Sequence, residues 1–366
     1  MTTDNTADSQ LEKKVDFSLE DDFESNFSSI YSRNMAKLLK SFNISLMVSS
    51  YQAQRVFFVR TDGKEVNTNF IPFKRPMGIA IHGDTITLGT FDRVIKFVRN
   101  DGVISHLDDK DKLDACFTPS AIHITGMINI HDIAYGEDGL YVVNSAFSCI
   151  AKIVPDHSFE VVWTPPWISK LMPEDRCHLN GMALRDGRPR YVTAFNQSDN
   201  KGSWKKNQKA DGVLMDIESN EVLVSSLFMP HSPRYKNGKV YFCESGDGSV
   251  FSYDVQTRKK SLVVKLPGYT RGIDFYGPLM FVGLSKVRTK EEDEQLPLSE
   301  SGQDTLSGIW VVNLESNKVI GNIEFKSGIE QVYDVAVVRE TSYPSLLDAE
   351  HEKIKHIYKY KDCSDE

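Results

Sequence analysis

One short apolar strand recurs six times along the chain, and it restricts the possible folds more than any other feature. It reads Met77-Gly-Ile-Ala-Ile, His131-Asp-Ile-Ala-Tyr, Asn180-Gly-Met-Ala-Leu, His231-Ser-Pro-Arg-Tyr, Arg271-Gly-Ile-Asp-Phe and Tyr333-Asp-Val-Ala-Val. Successive copies begin 40 to 62 residues apart, which is the spacing of propeller blades. The longest interval holds a polar insertion, from Arg288 to Asp304, whose acidic part reads as a solvated loop or a lid over one face. After each copy comes a turn and a second strand, such as Gly139-Leu-Tyr-Val-Val-Asn or Lys239-Val-Tyr-Phe-Cys. A third follows, such as Arg93-Val-Ile-Lys-Phe-Val or Gly308-Ile-Trp-Val-Val, and often a fourth, such as Ser158-Phe-Glu-Val-Val-Trp. Four antiparallel strands per unit make a propeller blade.

The two ends complete the pattern. The sixth copy has no second or third strand after it. The region before the first copy holds strands two, three and four without a leading one: Leu46-Met-Val-Ser-Ser, Arg55-Val-Phe-Phe-Val-Arg and Val66-Asn-Thr-Asn-Phe. The expected fold is therefore an all-β, six-bladed propeller whose closing blade joins residues 44–70 to residues 332–338. Such a closure leaves no open sheet edge inside the ring. The expected organisation is an acidic disordered tail and short helix over 1–43, the propeller over 44–340, and a helical tail over 341–366. Within these, a helix is expected over 26–41 and another over 345–360.

Bulk properties narrow the function classes. A formal charge of -8 on 366 residues gives no footing for nucleic acid. No run approaches the roughly 20 apolar residues of a membrane span. Five cysteines, an odd number without a CxxC pair, read as free thiols in a reducing compartment, so a cytoplasmic location is expected. The Cys177-His178 pair has the composition of a nucleophile and base, but adjacent strand residues face opposite ways, and Cys177 reads as a packing thiol.

In a propeller the leading strand of each blade lines the central channel, so the residues that open those strands gather at one mouth. They are Met77, His131, Asn180, His231, Arg271 and Tyr333, with Arg75, His178 and Glu330 just upstream and Asp132, Arg234 and Asp334 just downstream. Asn144 and Lys286 join them from loops between second and third strands. Three of the nine histidines fall in this ring, on three consecutive blades. One expectation is a metal site, with His131, His178 and His231 holding Zn²⁺, Fe²⁺ or Mn²⁺ and calcium less favoured. Asp132, Glu330 or Asp334 would then move protons. Arg75, Asn144, Arg176, Asn180, Arg234, Arg271, Lys286 and Tyr333 would hold a small polar or anionic substrate. The other expectation is a mouth without turnover, either water-filled or presenting a surface that binds a ligand or a protein.

The blocks Ile130-His-Asp-Ile-Ala, Glu174-Asp-Arg-Cys-His-Leu-Asn-Gly, Met229-Pro-His-Ser-Pro-Arg and Val282-Gly-Leu-Ser-Lys occur in order, with Asn144 and Phe147-Ser-Cys-Ile after the first. Together they resemble a mostly bacterial family of uncharacterised β-propellers, catalogued as a domain of unknown function. The resemblance covers about residues 44 to 340. It implies the propeller and no particular reaction. Its blocks contain His131, His178 and His231 together with Arg176, Asn180 and Arg234.

Overall fold

The computed structural model describes residues 27–205, 210–287, 296–300, 302 and 304–360. Six sheets, each with four antiparallel strands, form a ring, and each begins with one copy of the recurring strand. Blade 1 opens with Ile79–His82, blade 2 with Ile130–Gly136, blade 3 with Leu179–Arg185, blade 4 with Pro230–Lys236, blade 5 with Tyr269–Tyr276 and blade 6 with Asp334–Arg339. Blade 6 is the expected closing blade. Asp334–Arg339 pairs with Ile44–Ser50, which pairs in turn with Arg55–Thr61 and then Val66–Pro72. Its register sets Ser45 opposite Val338, Met47 opposite Ala336 and Ser49 opposite Asp334.

The core lies between blades rather than in one central mass. Phe57, Phe281, Ile309 and Phe325 fill the space between blades 5 and 6, and Tyr191, Leu214, Val240 and Phe242 fill that between blades 3 and 4. Tyr191, Phe57, Phe58, Phe97, Phe242 and Phe281 are fully buried. Burying one such side chain stabilises the fold by about 1.5–3 kcal/mol. Close approach of neighbouring blades demands small residues at some crossings. A Cβ on Gly181 would sit against Pro233 of the next blade and 2.7 Å from Thr193 Oγ1.

The ends differ from expectation in an informative way. The helix expected over 26–41 is shorter, Met35–Ser41, and buries Met35, Ala36, Leu38 and Leu39 against blades 5 and 6. Before it, Ser28–Tyr31 forms a strand that pairs antiparallel with Lys318–Ser327, a fifth strand on blade 5. The helix expected over 345–360 is not formed. Pro344–Leu346 is instead a strand running parallel to Ala115–Ile124, a fifth strand on blade 1, and only Ile354–His356 makes a short 3₁₀ turn. The physical reason is pairing. Each segment meets the exposed backbone of an outer blade strand, and ladder hydrogen bonds outweigh a weak local helix preference. Asp114 secures the C-terminal strand. Its carboxylate accepts from Thr341 Oγ1, from Ser342 N–H at 2.8 Å and Oγ at 3.0 Å, and from Tyr343 N–H at 2.9 Å. Arg60 adds a 2.8 Å bond to Pro344 O.

The acidic tail expected at the N-terminus lies outside the described residues, as does much of the expected insertion loop. Its described end, the helix Pro297–Glu300, tucks Leu296 and Leu298 against Gly246 and Gly248 of blade 4. Among the described residues no helix is long and apolar enough to cross a membrane.

Candidate functional site

At the mouth where the leading strands begin there is a cavity of about 330 Å³. Two rings of residues build it. Five of the six aligned positions line it: Met77, His131, His231, Arg271 and Tyr333. The positions two residues earlier line it on every blade: Arg75, Asn129, His178, Met229, Tyr269 and Gln331. On blades 1 to 4 this earlier residue is left-handed, with φ of 47° at Arg75, 57° at Asn129, 48° at His178 and 50° at Met229. The left-handed step turns the side chain into the mouth before the strand begins. His178 is thus the blade 3 member of the earlier ring, and its offset from His131 and His231 has a backbone cause. Loops complete the wall with Tyr51, Asp175, Phe195, Trp204, Lys205 and Lys286.

Blades 2 and 4 carry the same histidine device. His131 Nδ1 lies 3.0 Å from Asn129 O and 2.7 Å from Ser145 Oγ. His231 Nδ1 lies 3.0 Å from Met229 O and 2.8 Å from Ser245 Oγ. Each serine hydroxyl donates onward to a backbone carbonyl of the next blade, Leu179 O or Thr270 O, so it can only accept from the imidazole. The proton therefore resides on Nδ1 in both rings, and Nε2 carries the lone pair. Burial pushes both imidazoles well below their ordinary pKa. His178 adds to this at both sites, as does the Arg271 guanidinium, so both rings are neutral. His231 Nε2 is buried and has no hydrogen-bond partner.

His178 is held differently. Its Nδ1 faces the Asp175 carboxylate at 2.9 and 3.1 Å, and Trp204 stacks on it with ring centroids 3.9 Å apart. Trp204 is itself fixed by a 3.1 Å bond from Nε1 to Asp175 O. The rings of His131 and His178 are 4.6 Å apart, but Phe195 packs against both His178, at 4.5 Å, and His231, at 5.1 Å. The phenyl ring separates the third imidazole from the pair. Among the described residues no three His, Cys, Asp or Glu side chains are grouped as a metal site would need.

Charge in the mouth is one-sided. Among the described residues, Arg75, Lys205, Arg271 and Lys286 line it against the single carboxylate of Asp175. Arg271 lies over the Tyr333 ring, 3.8 Å from its centroid, and Arg75 donates to Asn129 Oδ1 at 2.9 Å. Among the described residues none of the four cations makes an ion pair.

Several expected site residues lie elsewhere. Asp132 and Asp334 face down the channel, away from the mouth, because each follows a mouth residue on a strand and alternation turns it to the other side. There Arg234 grips Asp132 through Nη1 at 2.7 Å and Nη2 at 3.1 Å, approaches Asp334 at 3.8 Å, and donates from Nε to Ile273 O. Both aspartates also tie neighbouring blades, Asp132 accepting from Met182 N–H and Asp334 from Ile79 N–H. Asp274 does the same to Val337 N–H. Desolvation pushes the Asp334 pKa up to about 7, with Asp132 adding to the rise and Arg234 opposing it. These groups form a plug. On its far side a second cavity, about 660 Å³, is lined by Arg234, Asp274, Tyr135 and Arg339.

The remaining corrections are local. Arg176 is forked between Glu174 and Asp199 and does not face the mouth. Asn144 caps a turn by accepting from Phe147 N–H, and Asn180 accepts from Thr193 Oγ1; both are buried. Glu330 is exposed, and its neighbour Gln331 lines the cavity in its place. Cys177 is buried, and desolvation raises its thiol to about 11, which suits packing and not nucleophilic attack. Tyr51, Asn129, Asp175, Phe195, Trp204, Lys205, Met229, Tyr269 and Gln331 were not among the expected site residues. The signal for Asn129, Met229, Tyr269 and Gln331 was present in the repeat, shifted by two positions.

The sequence profile of a family described as "Domain of unknown function (DUF4915)" matches residues 33–347. No curated protein matches the chain. Among solved structures, one described as the crystal structure of a nidogen/laminin complex superposes with a TM-score of 0.48 at 9% identity, covering 81% of this chain and 99% of that one.

Proposed function

The chain belongs to the DUF4915 family, and from that premise we propose that its mouth cavity binds a small anionic molecule. The observation that carries this is the unbalanced charge among the described residues: four cationic side chains against one carboxylate, with no ion pair to neutralise them. Unpaired cations lining a concave, partly dry site favour an anion that supplies the missing charge. The Tyr333 ring under Arg271 holds the guanidinium plane in place, which lowers the ordering cost of gripping a carboxylate or phosphate. A volume of about 330 Å³ is at the small end of ligand pockets. Calorimetric titration with small carboxylates and phosphates at low and high salt tests the reading. Binding that weakens as salt rises, and that Arg271→Met reduces at least about tenfold, supports it. No binding by any anion refutes it.

A second reading is an enzyme at the same cavity, favoured by the Asp175–His178 pair. A carboxylate that fixes Nδ1–H leaves Nε2 directed to act as a base, as orienting acids do in many active sites. In its metal-dependent form, Nε2 of His131, His178 and His231 would be the ligands, each Nδ1 being occupied by a protein acceptor as is usual around bound metals. Phe195 would have to move for the three to converge. Metal analysis of untagged protein decides: stoichiometric zinc, iron or manganese lost in His131→Ala supports the metal form, and metal-free protein rejects it.

A further inference from the structure

We infer that the ligand of the mouth is a hydroxylated anion, a compact sugar-like acid or phosphate ester with at least one free hydroxyl beside the charged group. The inference rests on the anion-binding reading above and adds a second chemical demand. His231 is only 2% exposed, lines the cavity, and presents an Nε2 that no protein group satisfies. His131, 8% exposed, repeats the arrangement on blade 2 with the same carbonyl and serine partners on Nδ1. Both serines are themselves locked as donors to the next blade, so neither ring can flip its tautomer without losing two hydrogen bonds.

His131 and His231 therefore line a cavity whose charged groups, among the described residues, are mostly donors, and with each Nδ1 already engaged any contact a ligand makes with either ring falls to Nε2. An acceptor left empty on ligand binding costs free energy, so the ligand must bring a proton to it. An ammonium donor is disfavoured, since Arg75, Lys205, Arg271 and Lys286 line the same cavity and would repel it. A hydroxyl suits the site on both counts. It donates to Nε2, and its oxygen can accept from Lys286, Arg75 or Lys205. The aromatic side chains Phe195, Tyr269 and Tyr333 pack around the two imidazoles and leave an apolar surface for a carbon skeleton. A bare inorganic anion would satisfy the cations and leave both Nε2 atoms unmet.

The test uses the full chain and a paired panel. Each hydroxylated anion is matched to an analogue without hydroxyls: gluconate with hexanoate, glycerate with propionate, and glucose 6-phosphate with hexyl phosphate. The carboxylate and phosphate arms separate the two sources of charge. The hydroxylated member of at least one pair is expected to bind about tenfold tighter or more. His231→Gln, which keeps an acceptor near the Nε2 position, should retain that preference. His231→Leu should shrink the ratio of affinities within the pair, and the double variant His131→Leu/His231→Leu should bring it close to one. Nitrogen NMR of the unliganded protein gives an independent readout, because Nε2 of His131 and His231 should show the shift of an unprotonated ring nitrogen. Equal binding within every pair overturns the hydroxyl inference and leaves the anion site standing. Protonated Nε2 atoms at neutral pH overturn it as well. Failure of every anion overturns both readings.

Discussion

Replacing Arg234 by methionine is expected to destabilise the protein more than any single change at the mouth. The guanidinium holds Asp132 with two bonds, lies 3.8 Å from Asp334, and donates to Ile273 O and Pro233 O. Methionine keeps much of the side-chain volume and removes all of these. Breaking a buried pair by deleting one partner typically costs about 3–5 kcal/mol, because the surviving charge is left uncompensated. The cost should depend on pH with a defined sign. Asp334 already has a raised pKa, about 7, from burial, and Arg234 restrains the rise. Without the guanidinium it rises further, and the folded state then holds a proton that the unfolded chain releases near the ordinary value of about 4. The extra stability of the protonated form is fully present below the unfolded pKa and is lost as pH climbs through the folded one. The penalty of Arg234→Met should therefore be smaller at pH 5 than at pH 8. Urea unfolding followed by circular dichroism at pH 5, 6.5 and 8 measures it. The double variant Arg234→Met/Asp132→Asn should recover part of the loss at pH 8. A loss under about 1 kcal/mol, or one of equal size at all three pH values, refutes the view of these groups as an electrostatic plug.

Three further changes probe other parts of the design. Asp334→Asn should flatten the decline in stability that a pKa raised to about 7 implies for the wild type between about pH 4 and pH 7; a thermal-melt series that keeps its slope contradicts the assignment. Asp114→Ala should cost about 2–3 kcal/mol near neutral pH by releasing the strand Pro344–Leu346 from blade 1. Burial disfavours that carboxylate but its hydrogen bonds prevail and hold its pKa below the usual range, so the cost should shrink as the pH falls through acid values; hydrogen exchange confined to residues 341–347 would confirm the site of the loss. Gly181→Ala should cost about 1–3 kcal/mol or more by overpacking blade 3 against Pro233 and Ser232 of blade 4, read as a lowered melting temperature; an unchanged melt would mean the blades can separate freely.

What the sequence made legible follows from where its signals are local. The six inner strands are apolar, regular and bounded by turns, so the repeat located them and the split closing blade within a residue or two. The mouth was half legible. Alignment found His131, His231, Arg271 and Tyr333, but the second ring depends on left-handed backbone at Arg75, Asn129, His178 and Met229, which side-chain identity alone does not announce. Asp132 and Asp334 were placed at the mouth beside their neighbours although strand alternation turns them into the plug with Arg234. The family blocks point to Arg176 and nearness in sequence to Glu330, but salt bridges to Glu174 and Asp199 draw the first away and solvent takes the second. Trp204 and Lys205 come from a long loop after the second strand of blade 3, outside the recurring strand that the alignment matched. The strands Ser28–Tyr31 and Pro344–Leu346 are four and three residues long and owe their form to partners nearly three hundred and over two hundred positions away.

Those two strands also decide how the ring would respond to mechanical load. The closing blade is joined to its neighbours through the chain, and the two segments that leave it are bound to the outer edges of blades 5 and 1. Tension applied at the ends must first peel Ser28–Tyr31 from one rim and Pro344–Leu346 from the other. Only then does force reach the pairing of Asp334–Arg339 with Ile44–Ser50 that shuts the circle. Blades 2, 3 and 4, which carry the three histidines, lie on the opposite arc and would be the last to feel the pull.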